Sequence, residues 1–265
     1  SFALQTGLNK DAIIVIGGGD QAVGAVGTGT VDNNSLSISL GTSGVIFSAS
    51  DIFVDDKQSK VHSFCHANGH FHAMGVMLSA AGSLDWWTKE VLKSSDFTAV
   101  LEEVRDTKID NLLFLPYLMG ERSPINDPNA KGVFYGLSLM HSRNNITRAI
   151  LEGISFGIYD CLLTLRALGN TTSVARVIGG GARSDIWLQI LSDVLGIELR
   201  TINSVDGSGL GAVILAMVGT GKFTSVNDAC KAIIRDCKVF VPDNDNHQKY
   251  IAKFEKFKSL YYKLK

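Results

Sequence analysis

The chain has 265 residues, 25 of them basic and 26 acidic, so its formal net charge is −1. That balance, with no Lys/Arg cluster before residue 249, argues against a nucleic-acid partner. Hydrophobic residues make up 45% of the chain, enough for a sizeable core. The longest apolar stretches are shorter than the roughly 20 residues that a membrane helix needs.

The cysteines and the N-terminal residues indicate the compartment. The four cysteines are far apart or in apolar settings, so we predict reduced, buried thiols rather than a disulfide framework; they are Cys65, Cys161, Cys230 and Cys237. No signal-peptide pattern is present, and we expect a cytoplasmic protein.

Hydrophobic periodicity and glycine signals predict the secondary structure. An antiparallel meander comes first and alternating strands and helices follow, which predicts one sheet with helices packed on its faces. The predicted elements in chain order are a buried strand at 12–16, a small-residue helix from Asp20 to about Gly29, two strands within 35–50 broken at Gly41–Gly44, a hairpin around Asn68-Gly69, a helix beginning at Ser79, a strand at 111–118, a long helix from Ser142 to Gly169, a strand, glycine loop and helix at 174–196, a short strand at 198–202, a helix ending at Gly221 and an amphipathic C-terminal helix.

Strand–glycine units recur at 12–24, 38–44 and 176–184, and we interpret them as three edges of one nucleotide cleft. In the first, Asp20 argues against a dinucleotide fingerprint, because its charge would face a pyrophosphate; a helix N-cap is the alternative. The other two glycine turns can bring backbone amides close to an anionic ligand, or they can be ordinary turns.

The combination and order of these motifs resembles the FGGY family of carbohydrate kinases. The resemblance covers nearly the whole chain, but only the C-terminal half of such enzymes. It implies that residues 1–265 form the nucleotide-binding domain, an α/β, ribonuclease-H-like (actin-like ATPase) domain with a mixed sheet and helices on both faces. It also implies that the N-terminal sugar-binding domain is absent from this sequence. The matching segments are GGGDQAVGAVG (17–27), SISLGTSGV (37–45), HSFCHA (62–67), MGVMLSAAGSLDWW (74–87), FLPYLMGERSP (114–124), AKGVFYGLSL (130–139), RAILEGISF (148–156), IGGGARSDIWLQILSDVLG (178–196) and LGAVILAMVGTG (210–221).

The resemblance also assigns roles to individual residues. Asp20 takes the position of the general base, and Gln21 is expected to hydrogen-bond the sugar. Thr42 is expected to contact the ATP phosphates. The other nucleotide-binding positions are Gly41 and Ser43 in the same turn, Gly82 and Asp85 in the pocket wall, Gly180 and Gly181 against the adenosine, and Ser184. An Mg²⁺ ion is expected to bridge the phosphates, held by water, phosphate oxygens and Asp20, with no protein metal cage in this half.

The implied reaction is phosphorylation of D-xylulose at its 5-hydroxyl by ATP in the intact enzyme, the fragment alone being inactive. Another FGGY substrate, gluconate or a second pentulose, is an alternative. A non-catalytic actin-like nucleotide-binding module is another, and Asp20 argues against it, because pure binding needs no carboxylate facing an acceptor. A homodimer is left open.

The hairpin at 62–72 contains several potential metal ligands. A two-residue turn at Asn68-Gly69 would place Cys65 opposite His72 and direct His66 to the other face. At most three ligands would then share a face, short of a closed zinc site, so we predict ordinary hairpin packing.

Four remaining features are interpreted as structural or left open. The lysine-rich C-terminal helix is predicted to dock on the domain with its lysines solvated, rather than to lie on a membrane surface. Trp86 and Trp87 are predicted to pack in the core. Glu121 and Arg122 are predicted to order their loop by pairing, with an interdomain cleft as the alternative. Ser208-Gly209 replace a pair that is usually alanine or proline in the family, which leaves nucleotide contacts open there.

Overall fold

The structure, a computed structural model, describes residues 2–265 and, within its first helix, side chains from Leu4 onward. The strands are β1 (Leu36–Leu40), β2 (Gly44–Ser50), β3 (His62–Cys65), β4 (Phe71–Met77), β5 (Leu113–Leu115), β6 (Val133–Tyr135), β7 (Val174–Ile178), β8 (Glu198–Ile202) and β9 (Asp236–Phe240). The helices are α1 (Phe2–Thr6), α2 (Asp20–Gly27), α3 (Ala81–Trp86) with a π-helical turn (Trp87–Val91), α4 (Phe97–Glu102), α5 (Arg143–Ala167), a 3-10 turn (Gly180–Arg183), α6 (Asp185–Leu195), α7 (Gly207–Gly219), α8 (Val226–Ile233) and α9 (Asn244–Leu264).

The described residues form a seven-stranded mixed sheet in the order β3-β4-β2-β1-β7-β8-β9. Its centre is parallel, because β7 pairs in parallel with both β1 and β8, whereas the remaining pairs are antiparallel. Strands β5 and β6 form a separate antiparallel ribbon. The sheet therefore contains three adjacent parallel strands, β1, β7 and β8, and their carboxyl ends meet at one edge.

Alternation along β1 separates the two faces of the sheet. Leu36, Ile38 and Leu40 are buried in the larger core, which α5, α6 and α9 complete. Ser37 and Ser39 face the other side, where α2, α7 and α8 form a second core. The predicted mixed sheet with helices on both faces is confirmed.

The C-terminal helix α9 docks on the larger core, as predicted. Four of its five aromatic side chains are buried, Tyr250 and Phe254 among them, whereas Tyr262 is exposed. Lys253 is buried too, which corrects the prediction that the lysines of this helix are solvated. Its ammonium group pairs with the Glu152 carboxylate of α5, which also pairs with Arg148 at 2.8 Å. Within residues 2–265, no helix is both long and apolar enough to cross a membrane.

The strand predicted at 12–16 is wrong, because this segment has no strand pairing. Ile13, Ile14 and Ile16 are 61%, 68% and 90% exposed, and Val15 packs against α7 near Gly219. An apolar run predicts burial but not the surface that buries it. The sequence pattern also did not predict α8 and β9. Strand β9 is an edge strand whose residues are largely exposed.

The predicted register of the β3–β4 hairpin is wrong by one residue. His66 N–H donates to the His70 carbonyl at 2.9 Å, so the loop has three residues and Gly69 adopts a φ of +91°. Phe64 rather than Cys65 therefore lies opposite His72.

The corrected register places His66 and His72 on one sheet face, their rings 5.9 Å apart, with His72 stacked on Phe47 at 4.2 Å. Burial lowers the pKa of His72 to about 4, so its ring is neutral at physiological pH. Among the described residues, no group of three His, Cys, Asp or Glu side chains is arranged to hold a metal ion.

The cysteines divide into two classes, which corrects the prediction that all four are buried. Cys161 and Cys230 are buried, and burial raises the pKa of Cys230 to about 11, whereas Cys65 and Cys237 are exposed. We expect Ellman's reagent to titrate two thiols rapidly in the native chain and all four in guanidinium chloride. The double variant Cys65→Ser/Cys237→Ser should show no rapid reaction; four rapid thiols in the native chain would contradict the burial.

Candidate active site

Each of the three strand–glycine units contains a bend, and the second (38–44) and third (176–184) bends follow neighbouring parallel strands at the same edge of the sheet. Ser39 of β1 lies opposite Ile178 of β7, and each strand ends in its bend within two residues of that pair. Gly179 adopts a φ of +93°, and a Cβ there would lie 2.7 Å from the Leu40 carbonyl oxygen. The glycine loop of the third bend thus packs directly on the second bend, as the carboxyl ends of adjacent parallel strands allow.

The second bend, which we call the phosphate turn (Gly41–Ser43), is held by the start of α3. Ala80 N–H and Gly82 N–H donate to the Thr42 carbonyl at 2.9 and 3.1 Å, and Ala81 N–H donates to the Gly41 carbonyl at 2.9 Å. These bonds use the backbone carbonyl groups of the turn and do not involve the side chains of Thr42 and Ser43, which are exposed. Gly82 is needed for the close approach, because a Cβ there would lie 3.0 Å from the Thr42 oxygen.

The glycine loop of the third bend lines a cavity of about 480 Å³. Gly180 and Gly181 form part of its wall, and Ser184 contributes at the start of α6, where its hydroxyl accepts from Trp187 N–H at 3.2 Å. A Cβ on Gly181 would collide with Leu40 and Trp187, whereas a Cβ on Gly180 would meet nothing within 4 Å. Gly180 therefore keeps open a volume that a flat ligand can occupy.

Ten residues of this cavity were not among those assigned to the site from the sequence. Helix α4 reaches the glycine loop from about 80 positions earlier in the chain and contributes Phe97, Thr98, Leu101 and Glu102. Arg105 and Lys238 lie outside the quoted motifs, whereas Leu84, Arg183, Asp185 and Trp187 lie within them. Lys238 donates to both carboxylate oxygens of Asp185, at 2.7 and 2.8 Å. The cavity thus combines an apolar wall with charged groups at its rim.

Asp20 and Gln21 line a second, smaller cavity of about 50 Å³ at the start of α2. Its walls include Ser39 and Ile178, the strand pair from which the other two bends depart. The structure therefore brings all three bends to one edge of the sheet.

Asp20 is the first residue of α2, and Gly19 holds the N-cap position, so the N-cap interpretation of Asp20 is wrong. Its exposed carboxylate projects from the helix start and accepts from Gln21 Nε2 at 3.4 Å.

Ser208 also belongs to this cavity, which answers the question left open at Ser208-Gly209. Its hydroxyl donates to the Asp20 carbonyl at 3.1 Å and links the first turns of α2 and α7. Its contacts are therefore with the Asp20 side of the cleft and not with the glycine-loop cavity.

Asp85 stands apart from the other predicted residues. It pairs with Lys89 at 2.7 Å, one helical turn onward, and the residue that lines the large cavity is its neighbour Leu84. Of the tryptophan pair, Trp87 is buried and donates to Thr147, as core packing predicts, but Trp86 is 36% exposed.

Glu121 orders its loop in a different way from the predicted pairing with Arg122. The Glu121 carboxylate accepts from two backbone amides, Leu78 N–H at 2.8 Å and Arg122 N–H at 2.7 Å. Burial raises the pKa of Glu121 to about 7, against the opposing effects of these two amides and of the Arg122 charge.

The residues present fit a nucleoside triphosphate. The open space over Gly180 suits a planar base, and the phosphate turn presents an exposed hydroxyl. Among the residues that line the small cavity, Asp20 supplies the one carboxylate. That donor set suits Mg²⁺, which commonly binds through one or two carboxylates, substrate phosphates and water.

Comparison with known proteins identifies the family that the sequence motifs resemble. Residues 36–220 match the model of the FGGY family of carbohydrate kinases, C-terminal domain. The chain is 35% identical to the xylulose kinase of Staphylococcus epidermidis, covering 98% of this chain and 53% of the relative. It is 41% identical to the xylulose kinase of Escherichia coli, covering 95% and 52%. It is 30% identical to the gluconokinase of Bacillus subtilis, covering 94% and 51%.

The fold matches solved structures equally well. A crystal structure of a xyloylose kinase from Brucella ovis superimposes with a TM-score of 0.90 at 32% identity, over 99% of this chain and 54% of that one. This likeness confirms the predicted actin-like ATPase fold. The chain spans about half the length of the relatives that it matches.

Proposed function

The chain belongs to the FGGY family of carbohydrate kinases, and on that premise we propose that residues 1–265 are the nucleotide-binding half of a two-domain D-xylulose kinase. The sugar-binding domain would precede this half. One observation supports the proposal: Ile178, at the carboxyl end of β7 and paired with Ser39 of β1, lines the Asp20 cavity, and Gly180, two residues onward, lines the glycine-loop cavity. We therefore propose that the Asp20 carboxylate acts near the end of a triphosphate bound at the glycine loop.

The proposed reaction transfers the γ-phosphoryl group of ATP to the 5-hydroxyl of the sugar. Asp20 accepts the hydroxyl proton as the oxygen attacks phosphorus, and Gln21 orients the sugar. Catalysis of phosphoryl transfer consists mainly of positioning and charge stabilisation, so Thr42 acts by holding the phosphates. Gly41 and Ser43 shape that turn, Gly82 packs beneath it, and the adenosine lies over Gly180 and Gly181 beside Ser184. Asp85 remains in the proposal as an outer residue of the pocket wall. Mg²⁺, when bound, neutralises charge on the phosphates.

D-xylulose is favoured by the xylulose kinases among the relatives, and gluconate is the second candidate because of the gluconokinase. A coupled ADP-release assay on the two-domain enzyme, against ketopentoses and aldonates, separates them. We expect the highest kcat/KM for D-xylulose; a preference for gluconate would transfer the proposal to that substrate. The absence of sugar-dependent ADP release would favour a non-catalytic module. We place the enzyme in the cytoplasm, where ATP is available.

The chain alone provides a simpler test through its nucleotide cavity. We expect Gly180→Val to raise the Kd for ATP at least about tenfold, because the new side chain would fill the space over residue 180. The urea midpoint should not change, since a Cβ there meets no atom within 4 Å. Fluorescence titration with a labelled ATP measures the affinity.

Gly17→Val is the matched control, because a Cβ on Gly17 also meets nothing within 4 Å and Gly17 lies outside this cavity. Equal affinity in both variants would place the nucleotide elsewhere.

A further inference from the structure

We propose that Glu121 is a positioning residue for the phosphate turn, acting through the end of β4. The inference rests on the proposed function in one respect, since it takes the turn to contact phosphate. Glu121 lies outside both cavities and touches no reacting atom. Its effect on catalysis would therefore be transmitted through the backbone.

The first link joins Glu121 to β4. Strand β3 pairs with β4 only as far as Met74, and the loop containing Glu121 takes over the position beside the remaining residues of β4. Ser123 N–H donates to the Val76 carbonyl at 2.9 Å, and Leu78 N–H donates to the Glu121 carboxylate at 2.8 Å. Glu121 therefore satisfies the first backbone amide beyond the strand, which ends at Met77.

The second link joins β4 to the phosphate turn. Met77 pairs with Gly44, at the end of that turn, so β4 and the turn share the sheet. Two residues after Leu78, the amides of Ala80, Ala81 and Gly82 begin their three bonds to the Gly41 and Thr42 carbonyls. The segment 78–82 is thus tied to Glu121 at one end and to the turn at the other.

The electrostatic setting of Glu121 shows that its ionised carboxylate lowers the stability of the folded chain. Glu121 is 3% exposed, and its second oxygen, Oε2, has no partner among the described residues. The groups that face it are Arg122, Tyr117 and Cys161, and Asp160 in turn interacts with Tyr117 and Cys161. Because its pKa in the folded chain is about 7 against an ordinary 4.5, the folded state binds the extra proton, and stability falls as pH rises through this window. A glutamine would avoid that cost.

Two substitutions separate positioning from stability. Glu121→Gln keeps an acceptor for Leu78 N–H and removes the charge, whereas Glu121→Met keeps the approximate volume and removes the acceptor. Hydrogen exchange of the native chain, with residue-level resolution, reports the amides of Leu78 and of residues 80–82. We expect about tenfold faster exchange there in Glu121→Met and near-wild-type protection in Glu121→Gln. Exchange of the β8 amides should be unaffected, because three strands separate β8 from β4 in the sheet.

Asp127→Asn is the control on the same loop. The Asp127 carboxylate accepts from Tyr261 Oη at 2.7 Å and Asn129 N–H at 2.9 Å and does not contact β4. It should leave exchange at residues 80–82 unchanged. Unchanged exchange at these amides in Glu121→Met would overturn the inference, and so would equal acceleration in Asp127→Asn.

Catalysis gives the second readout, on the two-domain enzyme. Glu121→Met should raise KM for ATP about tenfold with little change in KM for the sugar. Glu121→Gln should have a KM for ATP close to the wild-type value. A general loss of structure would change both constants and would not be rescued by glutamine. If the wild-type protein binds no ATP, the proposed function fails, while the exchange experiment still decides whether Glu121 holds the turn.

Discussion

Replacing Asp20 with asparagine is expected to lower kcat of the two-domain enzyme by about 10²–10⁴-fold, the contribution typical of a general base. Asparagine keeps the size of the side chain but cannot accept the sugar's proton at neutral pH. The Kd for ATP should change little, because Asp20 lies in the smaller cavity and the glycine loop lines the other. Steady-state kinetics combined with an ATP titration measures both quantities.

Asp245→Asn is the matched control for this substitution. Asp245 also lies in the first turn of a helix, α9, so its removal costs a comparable interaction with the helix dipole. It lines neither cavity, and kcat should stay within about twofold of wild type. Near-normal turnover in Asp20→Asn would refute the role of Asp20 as the base.

The parts of the site that could be predicted are those fixed by local sequence. Alternation in SLSISL predicted the strand β1, and glycines marked where the chain bends. Because β1 and β7 are parallel neighbours, bends that lie about 140 positions apart in sequence meet at one edge. The small residues of α2 likewise indicated a closely packed helix.

The features that the sequence did not predict depend on tertiary packing partners, which hydrophobic periodicity does not specify. The isoleucines at 13, 14 and 16 are as apolar as a core strand, but no sheet edge in the described chain receives them. The hairpin register depended on whether the Asn68-Gly69 turn had two or three residues, and a change of one residue exchanged the faces of Cys65 and His66. Helix α4 reaches the glycine-loop cavity through tertiary packing alone. Glu121 was recognised as notable, yet the backbone amides that donate to it could not be foreseen, because backbone amides carry no sequence signal.

The largest effect on stability is expected at the crossing of α2 and α7. A Cβ on Gly27 would overlap the carbonyl oxygen of Gly207, and a Cβ on Gly211 would overlap that of Val23. Both obstacles are backbone atoms, which cannot turn away as a side chain can. We therefore expect Gly27→Ala to lower the free energy of unfolding by about 3 kcal/mol or more, measured by urea titration. This is the upper end of the overpacking range, because two helices must separate.

Gly24→Ala tests the same helix one turn earlier. Its Cβ would meet the Ser208 hydroxyl at 3.3 Å, and a side-chain hydroxyl can rotate away, so the loss should stay under about 1 kcal/mol. If Gly27→Ala and Gly24→Ala are equally stable, the backbone contact does not hold the helices together. The crossing also matters for catalysis, because Asp20 begins α2 and Ser208, in the first turn of α7, bonds to its carbonyl. Separating the helices would therefore displace Asp20, the proposed base, from the edge of the sheet where the other two bends meet. The folded Gly27→Ala two-domain enzyme should then lose kcat even where it still binds ATP.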